Sequence, residues 1–155
     1  MYKWWWNELP AESVERAIES FRDYRFTSGP IVREVERELA DALSLPDVVL
    51  VNSGTSALTA ALIDLGVGPG SNVIVPALTW IATAQAAQNL GAEVRVVDVE
   101  PNGYGIDPAS LEEAIDENTA AVIFVLFNGR VGELSKVREI CATVGIPLIE
   151  DRCKA

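Results

Sequence analysis

Three groups of residues in this chain have types and spacing suited to chemistry. The first is Asn52-Ser53-Gly54-Thr55-Ser56, a run of small polar residues between an apolar stretch at 47–51 and an Ala- and Leu-rich stretch at 55–65. Composition and spacing predict a buried strand, a tight turn and a helix in that order. The first amides of a helix lack intrahelical partners, and the helix dipole adds positive charge there, so Gly54, Thr55 and Ser56 suit an anion, phosphate above all. The plainer reading is an N-cap by Ser53 or Thr55, which needs no ligand. The second group is Trp80, whose flat apolar face could carry an aromatic ring, and which taken alone fits equally well as core or interface filler. The third is Asp151, a carboxylate able to pair with a protonated ring nitrogen or simply to cap a loop.

Elements must bring these residues together. After the 55–65 helix, Gly66-Val67-Gly68-Pro69-Gly70 closes the turn and leads into a strand at 72–75. Pro76 to Trp80 follows, then a helix over 81–90 ended by Gly91. A strand at 93–97 has Asp98 at its carboxyl end. Asp107-Pro108 reads as an N-cap with first-turn proline for a helix reaching about residue 116. Residues 120–127 form the most apolar strand, continuous rather than alternating, as when helices cover both faces. A helix over 133–144 ends at Gly145, and a last strand over 146–150 carries Asp151 at its tip. Five strands alternating with helices predict an α/β fold: three layers, with a mostly parallel sheet flanked by helices. Ligands of such sheets bind beyond the carboxyl ends of the strands, where the 53–55 turn, Trp80 and Asp151 all fall.

Upstream, helices are predicted over 10–23, with Val14, Ile18 and Phe21 on one face, and over 30–43, with Ile31, Val35, Leu39 and Leu43 recurring at helical spacing. Amphipathic packing accounts for both. The run Trp4-Trp5-Trp6 is different, because three adjacent indoles cannot all face one small core, which suggests a partner surface.

Bulk properties exclude several functions. The net charge of −11 argues against nucleic acid or an anionic membrane as partner. The chain has no histidine, which removes the usual neutral-pH base and the commonest metal ligand, and no metal site is expected. Cys141 and Cys153 lack the spacing of a disulfide framework, and no apolar run is long enough to cross a bilayer, so a cytoplasmic setting is expected.

A phosphate site, a ring-stacking face and a carboxylate for a ring nitrogen together describe pyridoxal 5'-phosphate (PLP), whose electron-sink chemistry needs that nitrogen protonated. At these residues the chain resembles the DegT/DnrJ/StrS aminotransferases, fold-type I PLP enzymes acting on nucleotide-linked keto sugars or keto cyclitols. The resemblance rests on Thr27-Ser28-Gly29-Pro30, on Asn52 to Leu58, and on Gly66 to Gly70 with Val73 to Trp80. It continues through Gly91-Ala92, Val97-Asp98-Val99, Ile106-Asp107-Pro108 and Pro147-Leu148-Ile149-Glu150-Asp151. It implies that Gly54, Thr55 and Ser56 hold the cofactor phosphate, that Trp80 stacks on the pyridine ring, and that Asp151 pairs with the ring nitrogen. It also implies an N-terminal segment and helix over 1–25, an incomplete PLP-binding large domain over 26–155, a sugar or cyclitol substrate with an amino donor, and a homodimer.

Two positions depart from the family pattern. Lys154 stands where Gln or His is usual, and Leu126 precedes Gly129 where the family often has His. The lysine that bonds the cofactor in the family lies well beyond the Asp151 position, whereas the lysines here are Lys3, Lys136 and Lys154. No residue is therefore assigned a catalytic role, and these residues alone are expected not to transaminate. A non-catalytic binding or interaction module derived from the same family is the alternative. A Rossmann-type nucleotide binder is disfavoured, since G-x-G-x-x-G and P-loop motifs are both missing.

Overall fold

The computed structural model describes residues 9–22 and 29–153. The Trp4-Trp5-Trp6 run, Thr27 and Ser28 of the Thr27-Ser28-Gly29-Pro30 motif, Lys3 and Lys154 lie outside those residues. The chain divides between Leu50 and Val51 into two compact units.

In the first unit, α1 (Ala11–Arg22) and α2 (Pro30–Leu43) form where their spacing predicts. Pro30 sits at the start of α2, where its missing N–H costs nothing. Arg16 reaches Glu34 at 3.4 Å. The apolar stripes do form, but neither helix has a buried residue, and Val14, Ile18, Val35 and Leu39 stay exposed. The packing expected of them is not made among the described residues.

The second unit holds a four-stranded parallel sheet, ordered β2-β1-β3-β4, with β1 Asn72–Pro76, β2 Glu93–Val97, β3 Thr119–Val125 and β4 Leu148–Asp151. Four helices cover it: α3 (Gly54–Asp64), α4 (Ile81–Gln88), α5 (Pro108–Ala114) and α6 (Leu134–Val144). The two-residue alternation of a strand sorts the core into two halves. Val73, Val75, Ala121, Ile123 and Val125 face Leu58 and Leu62 of α3 and Ala86 and Ala87 of α4. Ile74, Val122 and Phe124 face Leu111 of α5 and Leu134, Val137 and Cys141 of α6. This is the expected three-layer arrangement. Each fully buried aliphatic or aromatic side chain contributes about 1.5–3 kcal/mol, so the two half-cores hold the sheet from both sides.

One expected strand is missing. Residues 47–51 form no regular element and pair with no strand among the described residues, and Val49, Leu50 and Val51 are all exposed. The Leu50 N–H instead donates to Glu36 Oε1 at 2.9 Å. β-branched composition supplies a propensity, but a strand exists only where a neighbouring backbone completes its ladder. The helix ends follow the sequence more closely. Gly66 (φ +72°) and Gly145 (φ +73°) take the left-handed conformation that terminates α3 and α6.

Candidate active site

Register places the base of the site. In the β3–β4 ladder Val125 lies opposite Asp151, so the last residue of each strand meets at the carboxyl edge of the sheet. The Asp151 carbonyl accepts the Leu126 N–H at 2.9 Å, which extends the ladder one step further. Alternation turns Glu150 to the other face, where Arg138 Nε and Arg152 Nη2 each donate to its carboxylate at 2.8 Å. Burial would raise the Glu150 pKa, but the two guanidinium groups outweigh it and hold the carboxyl below its usual range. Glu150 and Asp151 are therefore not a paired acid and base. Glu150 ties β4 to α6, and Asp151 is left for the site.

The turn supplies the second wall. Ser53 is the N-cap of α3: its Oγ accepts the Ser56 N–H at 3.1 Å and lies 2.9 Å from the Ser56 hydroxyl. Ser56 Oγ donates to Asn52 Oδ1 at 2.7 Å. The plain capping reading is met by Ser53, and the cap does not use up the turn: it occupies Ser56 and leaves the N–H groups of Gly54 and Thr55 without a partner among the described residues. Trp80 is the N-cap residue of α4, is 65% exposed, and stands beside the Thr79–Thr83 hydroxyl pair at 2.8 Å.

These parts enclose a cavity of about 180 Å³ lined by Gly54, Thr55, Leu58, Thr79, Trp80, Ala82, Thr83, Val125, Asp151 and Cys153. Four of the five residues singled out from the sequence, Gly54, Thr55, Trp80 and Asp151, share it, while Ser56 is turned to Asn52 and Ser53 and does not line it. The residues suit a phosphorylated aromatic ring. Free amides stand at a helix N-terminus, and an exposed indole, the apolar side chains of Val125 and Leu58 and one carboxylate share the lining. Cys153 packs where a side chain at position 54 would stand, since a Cβ there would lie 2.5 Å from the Cys153 sulfur, closer than atoms can approach.

Cys153 was not singled out by the sequence reading, although its place two residues after Asp151 was a usable signal. Its N–H donates to Asp151 Oδ1 at 2.9 Å. Leu126, at the position where the family often has His, is buried in the α5/α6 half-core and does not face the cavity. Lys136 is ion-paired to Glu133 at 2.9 Å on α6. A larger groove of about 590 Å³ between α5 and α6 is lined by Lys136, Glu112 and Ile140 among others, away from the strand ends that carry the site. No cluster of metal-ligating residues occurs among the described residues, and no helix there is long and apolar enough to cross a membrane.

Comparison with known proteins agrees with this fold. The sequence profile of the DegT/DnrJ/EryC1/StrS aminotransferase family matches residues 7–155. A UDP-2-acetamido-2-deoxy-3-oxo-D-glucuronate aminotransferase of Pseudomonas aeruginosa is 38% identical over 134 residues, covering 86% of this chain and 37% of its own. A 3-amino-5-hydroxybenzoate synthase of Amycolatopsis mediterranei is 35% identical over 150 residues, covering 97% of this chain and 38% of its own. The crystal structure of NtdA from Bacillus subtilis, with bound cofactor PMP, superposes with a TM-score of 0.85 at 32% identity, over 94% of this chain and 34% of that one. PMP is the amine form of PLP, the cofactor the sequence implied. The chain spans little more than a third of the length of the relatives it matches. On that match over nearly its whole length, the chain belongs to the DegT/DnrJ/EryC1/StrS aminotransferase family.

Proposed function

We propose that this chain forms the cofactor-binding part of a PLP-dependent aminotransferase acting on a nucleotide-linked keto sugar or keto cyclitol, working as a homodimer in the cytoplasm. The observation that carries the reading is the convergence of Gly54, Thr55, Trp80 and Asp151 on one cavity from three separate elements. The α3 amides and the Thr55 hydroxyl would hold the phosphate, with the helix dipole favouring its charge. Trp80 would cover one face of the ring and exclude water from it. The Asp151 carboxylate, fixed by the Cys153 N–H, would keep a proton on the ring nitrogen. Bound there, PLP supplies the electron sink for moving an amino group. The substrate class follows from the relatives, one of which is named for a UDP-linked keto sugar acid. The two cysteines are free thiols, which suits a reducing compartment.

An absorbance titration of the chain with PLP tests the reading. Saturable binding that is lost in Asp151→Ala and weakened in Thr55→Ala is the expected result. Binding that survives both substitutions unchanged would overturn it. Borohydride reduction with mass mapping then shows whether Lys3, Lys136 or Lys154 bonds the cofactor, and an adduct on Lys154 would overturn the expectation that these residues supply no such lysine. The alternative of a non-catalytic interaction module draws on the exposed apolar stripes of α1 and α2. It predicts association with a longer family member without any PLP-dependent spectral change.

A further inference from the structure

The cofactor cavity contains a nucleophile that the proposed chemistry does not use. Cys153 lines it with Gly54, Thr55, Trp80 and Asp151, and its thiol is exposed. Two contacts fix the residue. Its N–H donates to Asp151 Oδ1 at 2.9 Å, and its Sγ lies 2.5 Å from where a Gly54 Cβ would be, against the first residue of α3. The residue therefore lies against both the turn and the Asp151 carboxylate, in the same pocket. The sulfur shares this cavity of about 180 Å³ with the residues assigned to the phosphate and the ring, so a group added to it would compete with the cofactor for the same space.

Building on the cofactor reading above, we infer that the Cys153 thiol stands in the PLP pocket without being needed to bind the cofactor, that bound cofactor shields it, and that bulk added to the sulfur excludes the cofactor. The backbone N–H orients the Asp151 carboxylate, and the sulfur closes the space between β4 and α3 that Gly54 leaves open. Hydrogen bonding to Asp151, then burial, push the Cys153 thiol above its ordinary pKa, so the group is a neutral thiol at neutral pH and reacts slowly there. Cys141, buried in the α5/α6 half-core, provides an internal reference because reagent reaches it only on unfolding.

The test is alkylation with iodoacetamide, in which the Cys153 thiolate forms an S–C bond, iodide leaves, and the thiol proton passes to buffer. Site occupancy is read by peptide mass mapping, with PLP binding followed by absorbance in the same samples. The expected result is at least a tenfold slower alkylation of Cys153 with saturating PLP, no alkylation of Cys141, and loss of PLP binding after Cys153 is alkylated. Cys153→Ser, which keeps the size and polarity of the group, should bind PLP within about threefold of the parent and be indifferent to the reagent. PLP that binds but leaves the Cys153 rate unchanged would overturn this inference alone. A chain that shows no PLP binding before alkylation would overturn it together with the cofactor reading. If Cys153→Ser lost PLP binding after reagent treatment, the effect would belong to another residue, and the assignment to Cys153 would fail.

Discussion

Asp116 Oδ2 lies 2.6 Å from Arg95 Nη1, joining β2 to the loop that leads into β3. The same carboxylate accepts the Asn72 amide at 2.8 Å and the Asn118 N–H at 2.9 Å, while Arg95 also reaches the Ala114 carbonyl at 3.0 Å. One acidic side chain thus fastens three neighbouring segments at the foot of the sheet, opposite its carboxyl edge. Burial would raise its pKa, but hydrogen bonds from Asn72, Asn118, Arg95 and Thr119 outweigh burial and hold it at about 2.

That depression has a pH consequence. A carboxyl whose folded pKa lies below its unfolded value stabilises the fold above the unfolded pKa, near 4, and loses that contribution as pH falls through the folded one. The parent should therefore be more stable than Asp116→Asn at neutral pH, and the gap between them should close as pH falls from about 4 to about 2. Urea unfolding at a series of pH values measures it. A gap that stays constant down to pH 2.5 would show that Asp116 is not ionically engaged.

The two helix caps separate stability from binding. Ser53 caps α3 beside the candidate cavity, and Asp107 caps α5, accepting the Ser110 N–H at 3.0 Å, and does not line that cavity. Replacing either with Ala should cost about 1 kcal/mol of stability. Only Ser53→Ala should also weaken PLP binding, since it alone frees Ser56 and loosens the turn that presents the Gly54 and Thr55 amides. Thermal unfolding and PLP titration on both variants give the comparison, and equal PLP affinity in the two would remove the turn from the site.

Trp80 is judged by the same pair of measurements. It is 65% exposed, so Trp80→Ala should change stability by no more than about 0.5 kcal/mol. Loss of a stacked ring should weaken PLP binding by roughly two- to tenfold, the equivalent of 0.5–1.5 kcal/mol. A large loss of stability with unchanged PLP affinity would make Trp80 a packing residue.

The sequence made much of this molecule legible because its signals are local. Alternation and apolar runs located β1 to β4, Pro30 and Asp107-Pro108 marked helix starts, and Gly66 and Gly145 marked helix ends. Gly54, Thr55, Trp80 and Asp151 were readable because each follows directly from an element boundary. What was not readable depends on partners distant in sequence. Residues 47–51 have strand composition but no neighbour to pair with, and the stripes on α1 and α2 have the right period but nothing buried against them. The engagement of Ser56 by Asn52 and Ser53, and the approach of Cys153 to Gly54, are settled by turn geometry that residue type does not encode.

That distinction between propensity and packing can be measured with two substitutions. Phe124 on β3 is completely buried in the α5/α6 half-core, its ring edge against Gly105, whereas Val49 is 77% exposed in the stretch expected to be a strand. Phe124→Ala removes buried area and leaves a cavity, and should destabilise the fold by about 3–5 kcal/mol. Val49→Ala removes a side chain already in water, and should change stability by less than about 0.5 kcal/mol. Both residues have strand-forming character, so propensity alone would rank them close together. Urea denaturation of the two variants decides the matter: a loss above about 2 kcal/mol for Val49→Ala would mean that residues 47–51 are packed in solution against a surface, as a true strand would be.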